Sequence, residues 1–253
     1  KILILPLIWS LFVVACTKGG GEVDEQEPVV TPTALTQVTA TIDCTTRASA
    51  LIGANGESSM FWSSGDKVVV TDLAKSATFS LKRGQGSVTG TFTGTLEATK
   101  NSIYLLYPAS STTLNGGKLS MTIPAEQSFA AARGINLNDK ILLVGSTDEG
   151  DQVVVSPAAA MVKFDITLPQ ERTINAVTMT SDVAIAGKGL VNLESGIVSD
   201  VDSKSLTLTY TNPVKGGRSA DGWATVAAVD FKSATGKGTY AVQTDEGVYT
   251  FCY

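Results

Sequence analysis

The sequence predicts an all-β fold: two β-sandwich domains in tandem, behind an export signal and a flexible tether. Three observations lead there. Beyond the first forty residues the chain is rich in Val, Thr, Ile and Ser, cut by Gly and by Asn-Gly or Asp-Gly pairs, which is the composition of strands and tight turns. Several runs alternate cleanly. In Ser205-Leu206-Thr207-Leu208-Thr209-Tyr210, the side chains of Leu206, Leu208 and Tyr210 share one face. Beyond the opening segment, no stretch shows a sustained helical period.

The opening segment comes first. Residues 2–15 are almost wholly apolar and follow Lys1. About 14 residues is too short for a spanning helix, which needs roughly 20, and it fits the apolar region of a secretory signal. The run ends Val13-Val14-Ala15-Cys16, which looks like a bacterial lipobox. A thiol is needed there because its sulfur takes a diacylglycerol, after which cleavage leaves Cys16 as the acylated first residue. Several acyl chains on one residue anchor firmly, each buried CH₂ contributing about 0.8 kcal/mol. Thr17 follows, not the Asp that favours inner-membrane retention in enteric bacteria, so the outer membrane is the expected destination. Glu22, Asp24, Glu25 and Glu27 resemble the acidic tethers of surface-exported Bacteroidetes lipoproteins.

These signals divide the chain into a signal peptide (1–15), a lipidated tether (16–37), an N-terminal sandwich (38–156) and a C-terminal sandwich (157–253). The tether holds Gly, Glu, Pro and Thr with few aromatics. Strands are expected at 35–44, 67–72, 77–82, 87–93, 102–107, 118–123, 141–146 and 152–155, then at 161–167, 174–181, 190–192, 205–210, 225–229, 239–244 and 248–252. Ser156-Pro157 marks the boundary, because proline does not continue a central strand. The chain starts without Met and stops inside an apolar run, which predicts a partial reading frame at both ends.

Composition removes several function classes. Histidine is absent, which takes away the commonest general base and the commonest transition-metal ligand. The net charge is −5 and no basic stripe is present, so a nucleic-acid partner is not expected. Cys44 and Cys252 form no disulfide framework; sequence alone does not decide whether they pair, and two partly buried free thiols is the better reading. Ser64-Gly65-Asp66-Lys67 matches S-x-x-K, but no S-D-N or K-T-G accompanies it, and a turn feeding a strand explains it better. The Gly-rich run 84–90 misses G-x-G-x-x-G and precedes no helix, so it reads as a hairpin loop. Asp200-Val201-Asp202 opens like a calcium loop, but Thr211 stands where the closing Glu belongs. Residues 148–151 read as a solvated hairpin tip. No enzyme, metal or cofactor is expected.

Several stretches, in order, resemble the fimbrillin family of Bacteroidetes, the type V pilins and their relatives. They are Thr46-Arg47-Ala48 with the later Trp62-Ser63-Ser64-Gly65-Asp66-Lys67-Val68; Tyr104-Leu105-Leu106-Tyr107-Pro108; Ile123-Pro124-Ala125-Glu126-Gln127; Pro157-Ala158-Ala159-Ala160-Met161-Val162-Lys163-Phe164; and Ala184-Ile185-Ala186-Gly187-Lys188. The resemblance implies two tandem transthyretin-like sandwiches and a structural, adhesive role. It also implies an assembly route. An Arg-specific protease cuts near the N-terminus, the first strand leaves, and a strand from the next subunit fills the groove. Arg47 lies where that cut is expected. Leu35, Val38, Ala40, Ile42 and Cys44 would plug the groove, with period two from Val38 onward. The alternative, in which Arg47 is a surface arginine and the strand stays in place, remains open on sequence alone. The expected partners are other fimbrial subunits, the outer membrane through the lipid, and surface glycans or proteins of host or bacterium. A second reading is a non-polymerising lipoprotein that binds glycans. Trp223 is its candidate platform, unless that side chain packs inward.

Overall fold

The computed structural model describes residues 34–43, 60–130, 141–229 and 238–252. Sixteen strands account for most of these residues. In chain order they are β1 (Ala34–Ile42), β2 (Lys67–Thr71), β3 (Ser76–Arg83), β4 (Thr89–Glu97), β5 (Ile103–Tyr107), β6 (Thr112–Asn115), β7 (Lys118–Ile123) and β8 (Glu126–Phe129). Then follow β9 (Leu143–Thr147), β10 (Gln152–Pro157), β11 (Ala160–Thr180), β12 (Gly187–Val191), β13 (Val198–Ser199), β14 (Ser205–Val226), β15 (Thr239–Thr244) and β16 (Val248–Cys252). The all-β expectation holds. Among the described residues the one helical element is a 3-10 turn at Ala109–Ser111, and no helix is long and apolar enough to cross a membrane.

Two hydrophobic cores organise the strands. The first lies inside a closed barrel of order β1-β10-β9-β5-β2-β3-β4. Alternation puts Val68 and Val70 of β2, Phe92 of β4, Leu105 of β5 and Val153 and Val155 of β10 inside, all fully buried or nearly so. The second core lies between a five-stranded sheet, β16-β15-β11-β14-β8, and a four-stranded sheet, β13-β12-β7-β6. Met121 and Ile123 of β7, Ile174 and Val177 of β11, and Leu206 and Leu208 of β14 meet there. The predicted shared face of Leu206, Leu208 and Tyr210 is the buried face of β14.

Three expectations change. Strand β1 begins at Ala34, inside the stretch assigned to the tether, because its first residues already pair with the end of β4 (Ala34 with Glu97, Leu35 with Leu96). The second change concerns the boundary near 156, which the sheets cross. Residues 112–129 precede it in sequence, yet β7 pairs with β12 and β8 pairs with β14. Their apolar side chains, Leu119, Met121, Ile123 and Phe129, fill the second core. Third, the separate strands expected at 161–167 and 174–181 are one strand, as is the run from Ser205 to Val226. Pro169 and Pro213 fall where the β11–β14 register slips, between Thr167 and Arg172 and between Thr209 and Val214. Bulges of this kind accommodate a proline that a regular ladder would not.

Candidate functional site

Strand β1 closes the barrel. It runs antiparallel to β4 on one side and parallel to β10 on the other. Its register places Val38 opposite Phe92, Ala40 opposite Gly90 and Val153, and Ile42 opposite Val155. Val38 and Ala40 are completely buried and Ile42 nearly so, while Leu35 is half-buried ahead of an irregularity between Leu35 and Gln37. Period two therefore sends Val38, Ala40 and Ile42 into the core and leaves Thr39 and Thr41 on the outer face. At its end the backbone N–H of Ile42 donates to Val88 O at 2.9 Å, and that of Asp43 to Val155 O at 2.8 Å.

Trp62 holds this strand from inside. It is 1% exposed, and its indole Nε1–H donates to the Ala40 carbonyl at 3.2 Å. The ring meets Phe92 edge-on at 4.9 Å and Tyr107 edge-on at 5.4 Å. Its own backbone is tied to the loop between β3 and β4, donating to Ser87 O and accepting from Gly86 N. Gly90 lets the ring lie this close, since a Cβ there would sit 2.7 Å from Trp62 Cδ1. The turn after Trp62 is the predicted one. Gly65 has φ +88°, and Ser63 N–H donates to Asp66 Oδ2 at 2.6 Å. Burial pushes the Asp66 carboxyl above its usual pKa, against the opposing hydrogen bonds from Ser63 N–H and the Tyr107 hydroxyl. This is a structural turn, with no helix to present Ser64 as a nucleophile.

The remaining predicted residues fall as follows. Cys16, Cys44 and Arg47 lie outside the described residues, so of the predicted donor or displaced strand the structure places Val38, Ala40 and Ile42. Cys252 is a free thiol at the exposed edge strand β16, not partly buried as composition suggested, because every residue of β16 except Tyr249 faces solvent. Trp223 is half-buried. It sits within β14 opposite Lys163 and packs against both cores, so it forms no flat exposed platform. Residues 84–88 and 148–151 are the hairpin connections β3–β4 and β9–β10. No group of three His, Cys, Asp or Glu among the described residues is placed to hold a metal.

Two polar sites escape sequence reasoning. The buried side chain of Gln127 bonds the backbone of Thr225 in both directions: its Nε2 donates to Thr225 O at 2.7 Å, and its Oε1 accepts from Thr225 N–H at 2.9 Å. It ties β8, which pairs with residues 207–210 of β14, to the far end of the same strand. The Pro124-x-x-Gln127 spacing is visible in the sequence, but its partner lies about a hundred residues on. Gln127→Leu is expected to destabilise the protein by about 2–4 kcal/mol, because two buried backbone bonds are lost together. Urea titration checks this, and a loss below about 1 kcal/mol would show that the amide is dispensable. The other site is Asp72, fully buried at the β2–β3 turn. Separately, a groove of about 450 Å³ is lined by residues 163–167 of β11 with Tyr240, Val242 and Phe251; none of the predicted site residues lines it.

No family model and no curated protein matches the chain. Among solved structures, a candidate cell adhesion protein of Bacteroides ovatus has a similar fold, with a TM-score of 0.50 at 13% identity over 85% of this chain and 84% of that one. A candidate adhesin of the same organism is matched with a TM-score of 0.38 at 11% identity, over 96% of this chain and 87% of that one. The first likeness is one of fold and agrees with the all-β class. Fold and site together define an all-β protein with two cores, in which a short N-terminal strand completes the first.

Proposed function

We propose that this chain is a non-enzymatic, adhesin-like surface protein of the fimbrillin type, in which β1 is the exchangeable strand. It is exported as a lipoprotein acylated at Cys16 and held at the outer membrane. A cut after Arg47 severs β1 from the rest of the fold, and a strand from another subunit takes its place. The observation that carries this reading is the position of β1. It is one N-terminal strand, bonded to a neighbour on each side, with Val38, Ala40 and Ile42 inside the barrel. Removing it leaves β4 and β10 with facing open edges one strand apart, roughly 10 Å. Main-chain bonds on both edges and apolar pockets between them are what strand addition uses. The fold shared with a candidate cell adhesion protein supports the adhesive part of the reading.

The test uses the full chain carrying Cys16→Ser, which removes the acylation site. After treatment with an Arg-specific protease, an unheated SDS gel is expected to show a ladder of multimers. The same treatment of Arg47→Ala is expected to leave a monomer. A cleaved chain that stays monomeric, or a ladder that persists in Arg47→Ala, would overturn the exchange mechanism.

A further inference from the structure

We infer that the barrel seam selects its strand by size: it accepts an extended segment with large apolar side chains at the Val38 and Ile42 positions and only Ala or Gly between them. This rests on the exchange reading above and names the chemistry of the incoming partner, an extended polypeptide segment of another subunit.

The geometry sets the rule. Ala40 and Gly90 stand directly opposite each other, so their Cβ positions share the inner face. That face is covered by Trp62. A Cβ on Gly90 would lie 2.7 Å from Trp62 Cδ1 and 2.8 Å from Leu81 Cδ1. The indole is held on several sides. Phe92 and Tyr107 press on it edge-on, and its N–H is committed to the Ala40 carbonyl. The strand's middle inward position therefore has room for a methyl group and little more. Two residues away on either side, the barrel takes the full side chains of Val38 and Ile42, 0% and 4% exposed. The intervening Thr39 and Thr41 are half-buried on the outer face, where the Thr41 hydroxyl bonds that of Thr89 and Thr39 has no part in the inner packing.

The pattern is uncommon in this chain. Taking Val, Ile, Leu, Met, Phe, Tyr and Trp as large, the sequence large-x-Ala/Gly-x-large occurs at Val38-x-Ala40-x-Ile42. Elsewhere it occurs only at Val88-x-Gly90-x-Phe92, which enters β4, and at Phe92-x-Gly94-x-Leu96 within it. Strand β16 is an edge strand with Val248 and Phe251 exposed, but it carries Thr250 between Val248 and Cys252 and does not meet the rule. Exposure of an apolar edge is thus not sufficient to fill this seam.

The test uses the full chain carrying Ala40→Leu, whose own β1 no longer fits, and fluorescent peptides spanning residues 34–43. The unaltered peptide is expected to bind this chain. The peptide carrying Ala40→Leu is expected to bind at least about 30-fold more weakly, and the peptide carrying Thr39→Leu within about threefold of the unaltered one. Equal affinity of the Ala40→Leu and unaltered peptides, or no binding of the unaltered peptide to a folded chain, would overturn the inference. Should the Ala40→Leu chain fail to fold, a series in the intact chain serves instead. The unfolding midpoint is expected to fall from Ala through Ser to Val at position 40 and to stay level for matched changes at Thr39; a level series at position 40 overturns the rule. Neither readout requires a cut after Arg47 or a multimer. A chain that never polymerises can pass both, and a ladder that forms while both fail leaves exchange standing without size selection.

Discussion

Trp62→Ala is expected to cost about 4 kcal/mol and to release β1 before any other strand of the barrel. Truncating a buried Trp removes its transfer free energy and leaves a cavity, together about 3–5 kcal/mol. Here the loss is concentrated at one place. The indole bonds the β1 backbone, and it fills the space over the Ala40–Gly90 pair. Urea unfolding gives the total. Amide exchange locates it: the amides of Val38, Ala40 and Ile42 are expected to lose more protection than those of β2 or β5. Uniform loss across the barrel, or a total below about 1.5 kcal/mol, would show that Trp62 is ordinary core packing with no special hold on the seam.

The second large effect belongs to Asp72. Its Oδ1 accepts from Ala74 N–H at 2.9 Å and Lys75 N–H at 2.6 Å, closing the β2–β3 turn. Its Oδ2 accepts from Thr99 N–H at 2.6 Å and the Thr99 hydroxyl at 2.8 Å, fastening that turn to the loop between β4 and β5. Burial by itself would raise the carboxyl pKa. The bonds from Lys75, Thr99 and Ala74 outweigh it and hold the group well below the usual carboxylate range. Asp72→Ala removes all four bonds from a buried site and is expected to cost about 3 kcal/mol.

The sign of the pH effect follows from the lowered pKa. The stabilisation is complete above the unfolded carboxyl value, about 3.9, and is lost as pH falls below it toward the folded value. Wild type is therefore expected to lose stability below about pH 4 more steeply than Asp72→Asn does. Asp66, with its raised pKa, acts in the opposite sense but is present in both proteins, so it drops out of the difference. Parallel curves for the two proteins between pH 5 and about pH 2 would show that the Asp72 carboxylate is not the group responsible.

Much of the fold was readable along the chain because strand signals are local. Alternation marked the inner face of β1 from Val38 onward and the inner face of β14 at Leu206, Leu208 and Tyr210. Glycine and Asp marked the turn at Gly65-Asp66. Where the reading missed, the cause was pairing across long separations. Residues 112–129 look like the end of the first sandwich until β7 finds β12 and β8 finds β14. The strands expected at 161–167 and 174–181 look separate until a bulge carries β11 through Pro169.

The same division holds at the seam. Sequence alone determined that the segment from Val38 to Ile42 is a strand with one apolar face, since period two is a property of the backbone itself. Only the tertiary structure decided that this face completes a barrel. It brings β4 to one side of β1, and β10, more than a hundred residues further on, to the other. It also lays the indole of Trp62 over Ala40 and Gly90, and that contact turns a small residue in an alternating run into a limit on size. Alternation is written residue by residue, whereas the space left at each position depends on side chains that only folding brings together.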